Sequence, residues 1–354
     1  MGKEKVCIVG SGNWGSAIAR IAAINTKKHS NVFDEEVTMY VHEEEVDGKP
    51  LSALINEKHE NVKYLPGVQL GSNIHAEPDL TKALEGATAL VVVVPHQFFD
   101  VTLKQMRGHV SKHARAVSLI KGLKTEGNKI KTFPAVLSEA LSIRCSALGG
   151  ANIAKEVGQD MFCESTLGVP PNSSSGDGLS DSELWFKLFE TPTFRIRTVE
   201  DVEGVVLCGG LKNIVALASG FSDGLGWGSN TKAAIIRIGL MEIKDFCLEF
   251  FPSTQPDTFL QESCGVADVV TSSISGRNRM IAEEMAKTGK SFQALEKEKL
   301  NGQQLEGPQT AEQLHNFIHA HGKEEHKQGK YRLLENVWKI CFQGMSSDKL
   351  LEGL

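Results

Sequence analysis

Two lysines stand where a charge is hard to accommodate. Lys212 lies in Cys208-Gly209-Gly210-Leu211-Lys212-Asn213-Ile214-Val215-Ala216, an apolar stretch of helical character. A buried ammonium needs a partner or a task. Snorkelling of its stem to the surface is the ordinary alternative, and the apolar neighbours on both sides disfavour it. Lys121 ends the strand-like Ser118-Leu119-Ile120-Lys121-Gly122. Loops at the carboxyl ends of parallel strands line the ligand crevice of α/β folds, although by itself Lys121 also reads as an exposed strand-end charge. Desolvation and a neighbouring cation both ease deprotonation of a lysine, so Lys212 near Lys121 suits proton exchange near neutrality. Asp268 and Ser272 are four residues apart and share a helix face. The carboxylate can orient a lysine, and the hydroxyl can donate to a phosphate oxygen. Ser275-Gly276-Arg277-Asn278 then breaks the helix, and Arg277 can grip a phosphate bidentately. Taken alone, Arg277 and Arg279 read as an exposed basic turn.

A second constellation lies at the amino end. Gly10-Ser11-Gly12-Asn13-Trp14-Gly15 follows a strand and precedes the helix-like 16–24. Gly10 permits the tight turn, Gly12 lets backbone approach a pyrophosphate, and Gly15 allows close strand–helix packing. The helix N-terminus meets the negative charge with its N–H groups. Glycine spacing alone is weak evidence, but this strand–turn–helix context predicts a dinucleotide site. The second strand runs into Tyr40-Val41-His42-Glu43-Glu44-Glu45. An acidic residue there can accept from an adenosine ribose, which favours NAD over NADP; a solvated acidic turn is the plain alternative for any one Glu. Another strand ends in Pro95-His96-Gln97-Phe98. Phe98 and Phe99 can pack near a nicotinamide or simply start a helix, and His96 is a weaker candidate base than Lys212.

These residues need a frame. Segments 5–9, 37–41, 89–94, 116–120 and 146–148 read as short apolar strands, several nearly continuous in Val, Ile and Leu, as in a doubly buried parallel sheet. Helical stretches between them imply βαβ units. The segment 170–181 reads as a surface loop, and 194–199 as a strand at the sheet's far edge. From about residue 200 the chain turns helical, with helices predicted at 202–220, 230–251, 265–275, 279–288 and 310–319. The expected fold class is α/β: an N-terminal Rossmann-like doubly wound, mostly parallel sheet over 1–199, and a C-terminal all-helical domain over 200–354 holding the substrate and catalytic groups.

The bulk numbers narrow the function. The chain has 354 residues, 41% of them apolar and 23% charged, with net charge −6. That balance argues against nucleic acid or an anionic membrane as partner, while a local basic cluster can still bind an anionic metabolite. Seven cysteines without CxxC spacing, mostly in apolar runs, read as reduced thiols of a cytoplasmic protein. No signal peptide precedes the first strand, and no apolar stretch approaches a membrane span. No metal is expected: His315, His319 and His321 have ligand-like spacing but no evident carboxylate or thiol partner.

The stretches VCIVGSGNWGSAIAR, ENVKYLPG, VVPHQF, SLIKG, GANIA, LKNIVA, GFSDGLGWGSNTKAA, ESCGVAD, GRNR and GKS occur in order along the chain. Together they resemble the eukaryotic cytosolic NAD-dependent glycerol-3-phosphate dehydrogenases over nearly the whole length. The resemblance implies reversible hydride transfer between NADH and dihydroxyacetone phosphate, giving sn-glycerol 3-phosphate, in a homodimer. It implies a catalytic cluster of Lys121, Lys212 and Asp268, with Lys212 the general acid/base. Lys121, Asn213, Ser272, Arg277 and Asn278 would bind substrate. Gly10, Ser11, Gly12, Asn13, Trp14, Gly15, His42, Phe98, Lys121, Ala154, Arg277 and Glu306 would line the NAD site. Ser272 stands where animal members usually carry Thr, and Glu306 where they carry Gln. Two other readings remain: a β-hydroxy-acid dehydrogenase, which would not predict the Gly276–Arg279 phosphate site, and an NAD-binding protein without catalysis, which has no use for a buried lysine.

Overall fold

The computed structural model describes residues 2–171, 178–300 and 304–354. The chain divides into two compact units, residues 1–121 with 133–202, and residues 122–132 with 203–354.

The first unit is built on an eight-stranded sheet. Its strands are β1 (Glu4–Val9), β2 (Phe33–Tyr40), β3 (Ile74–Glu77), β4 (Ala89–Val92), β5 (Arg115–Ser118), β6 (Arg144–Gly149), β7 (Cys163–Gly168) and β8 (Phe194–Val199). The order is β8-β7-β6-β5-β4-β1-β2-β3, with every pairing parallel except the antiparallel β6–β7. Strand order thus reverses beside β1, the switch point at which such sheets open a crevice. Alternate residues feed opposite faces: Val6, Ile8 and Val91 enter one core, while Cys7, Val9, Leu90 and Val92 enter the other. Helices α1 (Asn13–Lys28), α2 (Leu51–Lys58), α3 (Phe99–Met106), α4 (Phe133–Leu141), α5 (Ala154–Gly158) and α6 (Asp181–Phe189) belong to this unit.

Four elements differ from the sequence expectation. Strands β3 and β7 were not predicted, because neither IHAE nor CESTLG carries the continuous apolar run of a central strand. Helix α1 continues through the polar residues at 25–28. Asn25 and Thr26 are buried there because Asn25 Nδ2 donates to the Leu188 carbonyl (2.9 Å) and Thr26 Oγ1 to that of Glu35 (2.8 Å). Asp181, expected in a loop, starts α6 behind a capping box of Ser180 and Glu183. Residues 172–177 of that expected loop lie outside the described residues.

The second unit is helical: α7 (Val202–Gly224), α8 (Ser229–Phe250), α9 (Asp268–Ser275), α10 (Arg277–Thr288), α11 (Phe292–Lys299), α12 (Glu306–His321) and α13 (Arg332–Phe342). A two-stranded hairpin, Lys124–Glu126 with Lys129–Lys131, belongs to it. Helix α7 is buried from Gly204 to Ser222. It is long and apolar enough to cross a membrane, contrary to the expectation that no stretch reaches that length. Its apolar window is wholly covered by the fold, as in the core helix of a helical domain. Glycines let neighbours close on it. A Cβ at Gly220 would stand 2.1 Å from the Arg279 carbonyl oxygen, and one at Gly224 2.4 Å from that of Glu283, so α7 and α10 meet backbone to backbone.

On α8, Glu242 receives the N–H groups of Leu333 and Leu334, both at 3.0 Å, at the start of α13. Burial pushes its carboxyl up to about 7. An acid raised in the folded state contributes stability that is present below the unfolded value of 4.5 and lost as pH rises through about 7. Urea unfolding of the parent and Glu242→Gln across that window should show the difference shifting toward the variant by on the order of 3 kcal/mol. Parallel curves would mean that Glu242 titrates alike in both states.

Candidate active site

In the first unit the candidate residues cluster at the carboxyl ends of the strands. After β1, Gly10 adopts φ +125°, a region that side chains rarely enter, and a Cβ there would meet the Val93 carbonyl oxygen at 2.9 Å. A Cβ at Gly15 would stand 2.2 Å from the Gly10 carbonyl oxygen, so the turn and α1 close only over glycine. Gly12 is different: nothing lies within 4 Å of its missing Cβ. This open backbone precedes the 16-residue α1, whose N-cap Gly12 makes no side-chain cap. A bare amide cradle at a helix N-terminus fits a pyrophosphate, so the loop suits a dinucleotide.

Other members of the loop are structural. Asn13 Oδ1 accepts from the Trp14 N–H at 2.7 Å, and the Trp14 ring packs on the core beside Phe194, centroids 6.2 Å apart. The buried Ser11 turns its carbonyl to Asn61, whose Nδ2 donates to it at 2.8 Å and to Ser16 Oγ at 2.9 Å. Asn61 Oδ1 in turn accepts from the Tyr64 N–H.

His42 is exposed just beyond β2. Glu43 accepts from the Ser52 N–H (3.1 Å) and hydroxyl (2.5 Å) in the first turn of α2. Glu44 pairs with Lys63 and accepts from the Tyr64 hydroxyl, and those hydrogen bonds hold its carboxyl below the usual range. A ribose hydroxyl would therefore share these carboxylates with protein donors. Phe98 is 56% exposed, whereas Phe99 is buried against Phe133, centroids 4.8 Å apart. Of that pair only Phe98 offers a face to a ligand. Ala154 begins α5, and the half-buried Lys121 donates from Nζ to the Gly150 carbonyl at 3.2 Å.

In the second unit Lys212 projects from α7, and its Nζ lies 2.5 Å from Asp268 Oδ1 at the start of α9. Both side chains are under one-tenth exposed. Ser272, one turn beyond Asp268, is also buried. Gly276 ends α9 and is the N-cap of the 12-residue α10, again without a side-chain cap. Arg277 is exposed in its first turn, and Asn278 follows it, buried. A phosphate fits here by the same amide and dipole argument, with a guanidinium added. Asn278 also holds α12, its Oδ1 accepting from the Gly307 N–H at 2.9 Å. Asn213, next to the catalytic candidate Lys212, donates to Glu306 Oε2 at 3.1 Å. Arg279, by contrast, pairs with Asp223 (2.7 Å) and Glu283 (2.8 Å), so the second arginine of the basic turn holds helices together.

Comparison with known proteins decides the family. Models described as the N-terminus and the C-terminus of NAD-dependent glycerol-3-phosphate dehydrogenase match residues 5–175 and 201–352. The chain belongs to the NAD-dependent glycerol-3-phosphate dehydrogenase family. It is 48% identical to the mouse cytoplasmic glycerol-3-phosphate dehydrogenase [NAD(+)], across 100% of this chain and 98% of that one. The human counterpart is 47% identical over the same shares. Among solved structures, the glycerol-3-phosphate dehydrogenase of Saccharomyces cerevisiae superposes with TM-score 0.93 at 41% identity, covering 99% of this chain and 98% of that one.

As a member of the dehydrogenase family, the protein is an NAD-dependent oxidoreductase, and its glycine loop is braced by a residue that sequence reasoning passed over. Asn61 sits in the family-like stretch ENVKYLPG, but no periodicity marks an amide that is fully buried under the loop. Glu306 was expected at the cofactor; its visible partner is Asn213. Asn61→Ala should raise the NADH dissociation constant about tenfold, the worth of one to two buried hydrogen bonds, in a fluorescence titration. Turnover at saturating NADH should stay within about twofold. An unchanged dissociation constant would show that the loop holds its shape without this amide.

Proposed function

We propose that the chain catalyses reversible hydride transfer between NADH and dihydroxyacetone phosphate to give sn-glycerol 3-phosphate, with Lys212 as general acid/base. The buried Lys212–Asp268 pair carries the reading. A charge pair so deeply buried is a weak stabiliser but a good proton donor with a fixed direction. When bound, NADH supplies the hydride to C2 of the ketone. Lys212 gives its proton to the C2 oxygen as negative charge grows there and recovers it in the reverse direction. Asp268 orients the ammonium and keeps it charged before the transfer. Lys121, by analogy with the family, is the second cation that steadies the oxygen. Arg277, with the N-terminus of α10, Asn278 and the Ser272 hydroxyl, anchors the phosphate and so fixes C2 for attack. Asn213 turns its amide toward substrate or cofactor under the control of Glu306. The amides of residues 10–15 cradle the pyrophosphate, with His42, Phe98, Ala154, Arg277 and Glu306 assigned to the rest of the cofactor.

Mouse and human relatives named as cytoplasmic support a cytoplasmic setting. We read the working form as a homodimer without nucleic-acid or membrane partners, a reading that sedimentation and NADH-linked assays of the soluble protein would test.

Oxidation of NADH with dihydroxyacetone phosphate, followed by absorbance, tests the chemistry. Lys212→Ala should lower kcat by about 10²–10⁴-fold while NADH binding persists. Arg277→Ala should chiefly lower kcat/KM, through lost phosphate and transition-state binding. A folded, NADH-binding parent with no turnover would overturn the substrate assignment and direct the search to β-hydroxy acids.

A further inference from the structure

The histidines near the end of α12 do have a carboxylate partner, contrary to the sequence expectation. His315 and His319 are one turn apart, with ring centroids separated by 4.1 Å. His315 Nδ1 lies 3.0 Å from Glu335 Oε2 on α13. One ligand atom from each of the three residues lies within 4.8 Å of the others. The carboxylate was invisible in the sequence because it comes from a different helix, twenty positions downstream.

The environment suits a cation. The His315 ring stacks on Trp338 at 3.3 Å with 7° between planes, which fixes its orientation. Glu335 and Trp338 are three apart on α13 and share a face. The His315 and Glu335 side chains are 13% and 14% exposed, while His319 is exposed and provides an entry side. We propose that His315, His319 and Glu335 form a binding site for a divalent transition-metal ion of the zinc type, with water completing four-coordination. Two imidazoles and one carboxylate select such ions over magnesium or calcium, which prefer all-oxygen sites. Adjacent ligands of a tetrahedral ion with bonds near 2.1 Å stand about 3.4 Å apart. The Nδ1–Oε2 pair is already close to that spacing, and rotation of the exposed His319 ring closes the rest.

The other cluster of this kind among the described residues, Glu249, Glu325 and His326, is a poorer host. It offers one imidazole, and Glu249 already accepts from His326, Lys330 and Tyr331. Glu306 begins α12 nine residues before His315, roughly 14 Å along the helix. The ion therefore clamps α12 to α13 without touching the residues assigned to substrate.

The test uses the full chain stripped of metal by chelator. Zinc titration by calorimetry should give one equivalent per chain, with a Tm rise of several degrees at saturation. Cobalt(II) should give a four-coordinate visible spectrum without a thiolate band, and copper(II) should quench Trp338 fluorescence. His319→Ala and Glu335→Gln should each weaken zinc binding at least about tenfold, in line with the loss of one of three protein ligands, with NADH-linked turnover unchanged. Glu325→Gln should bind as the parent does. No stoichiometric uptake, or equal uptake by His319→Ala and Glu335→Gln, would overturn the site; loss only in Glu325→Gln would move it to the other cluster.

Discussion

A lysine ammonium inside a covered helix must have its countercharge in place before the helix is covered. Lys212 meets that condition through Asp268 at 2.5 Å, and the geometry of the second unit follows from it. Removing either partner would leave an uncompensated buried charge, a loss of about 3–5 kcal/mol. The start of α9 is therefore fixed on α7. With Asp268 fixed, Ser272 lies one turn further on, and the helix break at Gly276 brings the N-terminus of α10 next in line. One ion pair thus sets the direction in which a hydroxyl, a guanidinium and a helix end are presented.

Glycine contacts make that arrangement tight. At Gly220 and Gly224 the backbones of α7 and α10 approach within distances that any side chain would block, and at Gly307 α12 closes on the Asn278 amide in the same way. Arg279, bonded to Asp223 and Glu283, pins the first turn of α10 from its other side. The neighbouring Arg277 differs in exposure rather than in charge, and this separates an anchor for the fold from the residue proposed to hold a phosphate.

The first unit solves a related problem with amides instead of a charge pair. The loop proposed to hold the pyrophosphate combines a left-handed glycine with a close helix start. Asn61 supports this arrangement by satisfying the inward Ser11 carbonyl from beneath the loop. Opposite requirements, buried and satisfied on one side and open on the other, meet within six residues.

Sequence alone determined the elements whose chemistry is local. The strand–glycine–helix turn, the apolar strand at 5–9, the alternating strand at 194–199, the helix break at Gly276 and the oddity of Lys212 are legible because short-range sterics and the energy of burying a charge act on contiguous residues. Polar strands such as β7 and the burial of Asn25 and Asn61 were not legible. Their hydrogen-bond and packing partners lie far away along the chain, as Leu188 does from Asn25. The same reason separates Arg277 from Arg279 and joins Glu335 to His315. Spacing reports which residues can share a face, and only the tertiary structure decides what that face meets.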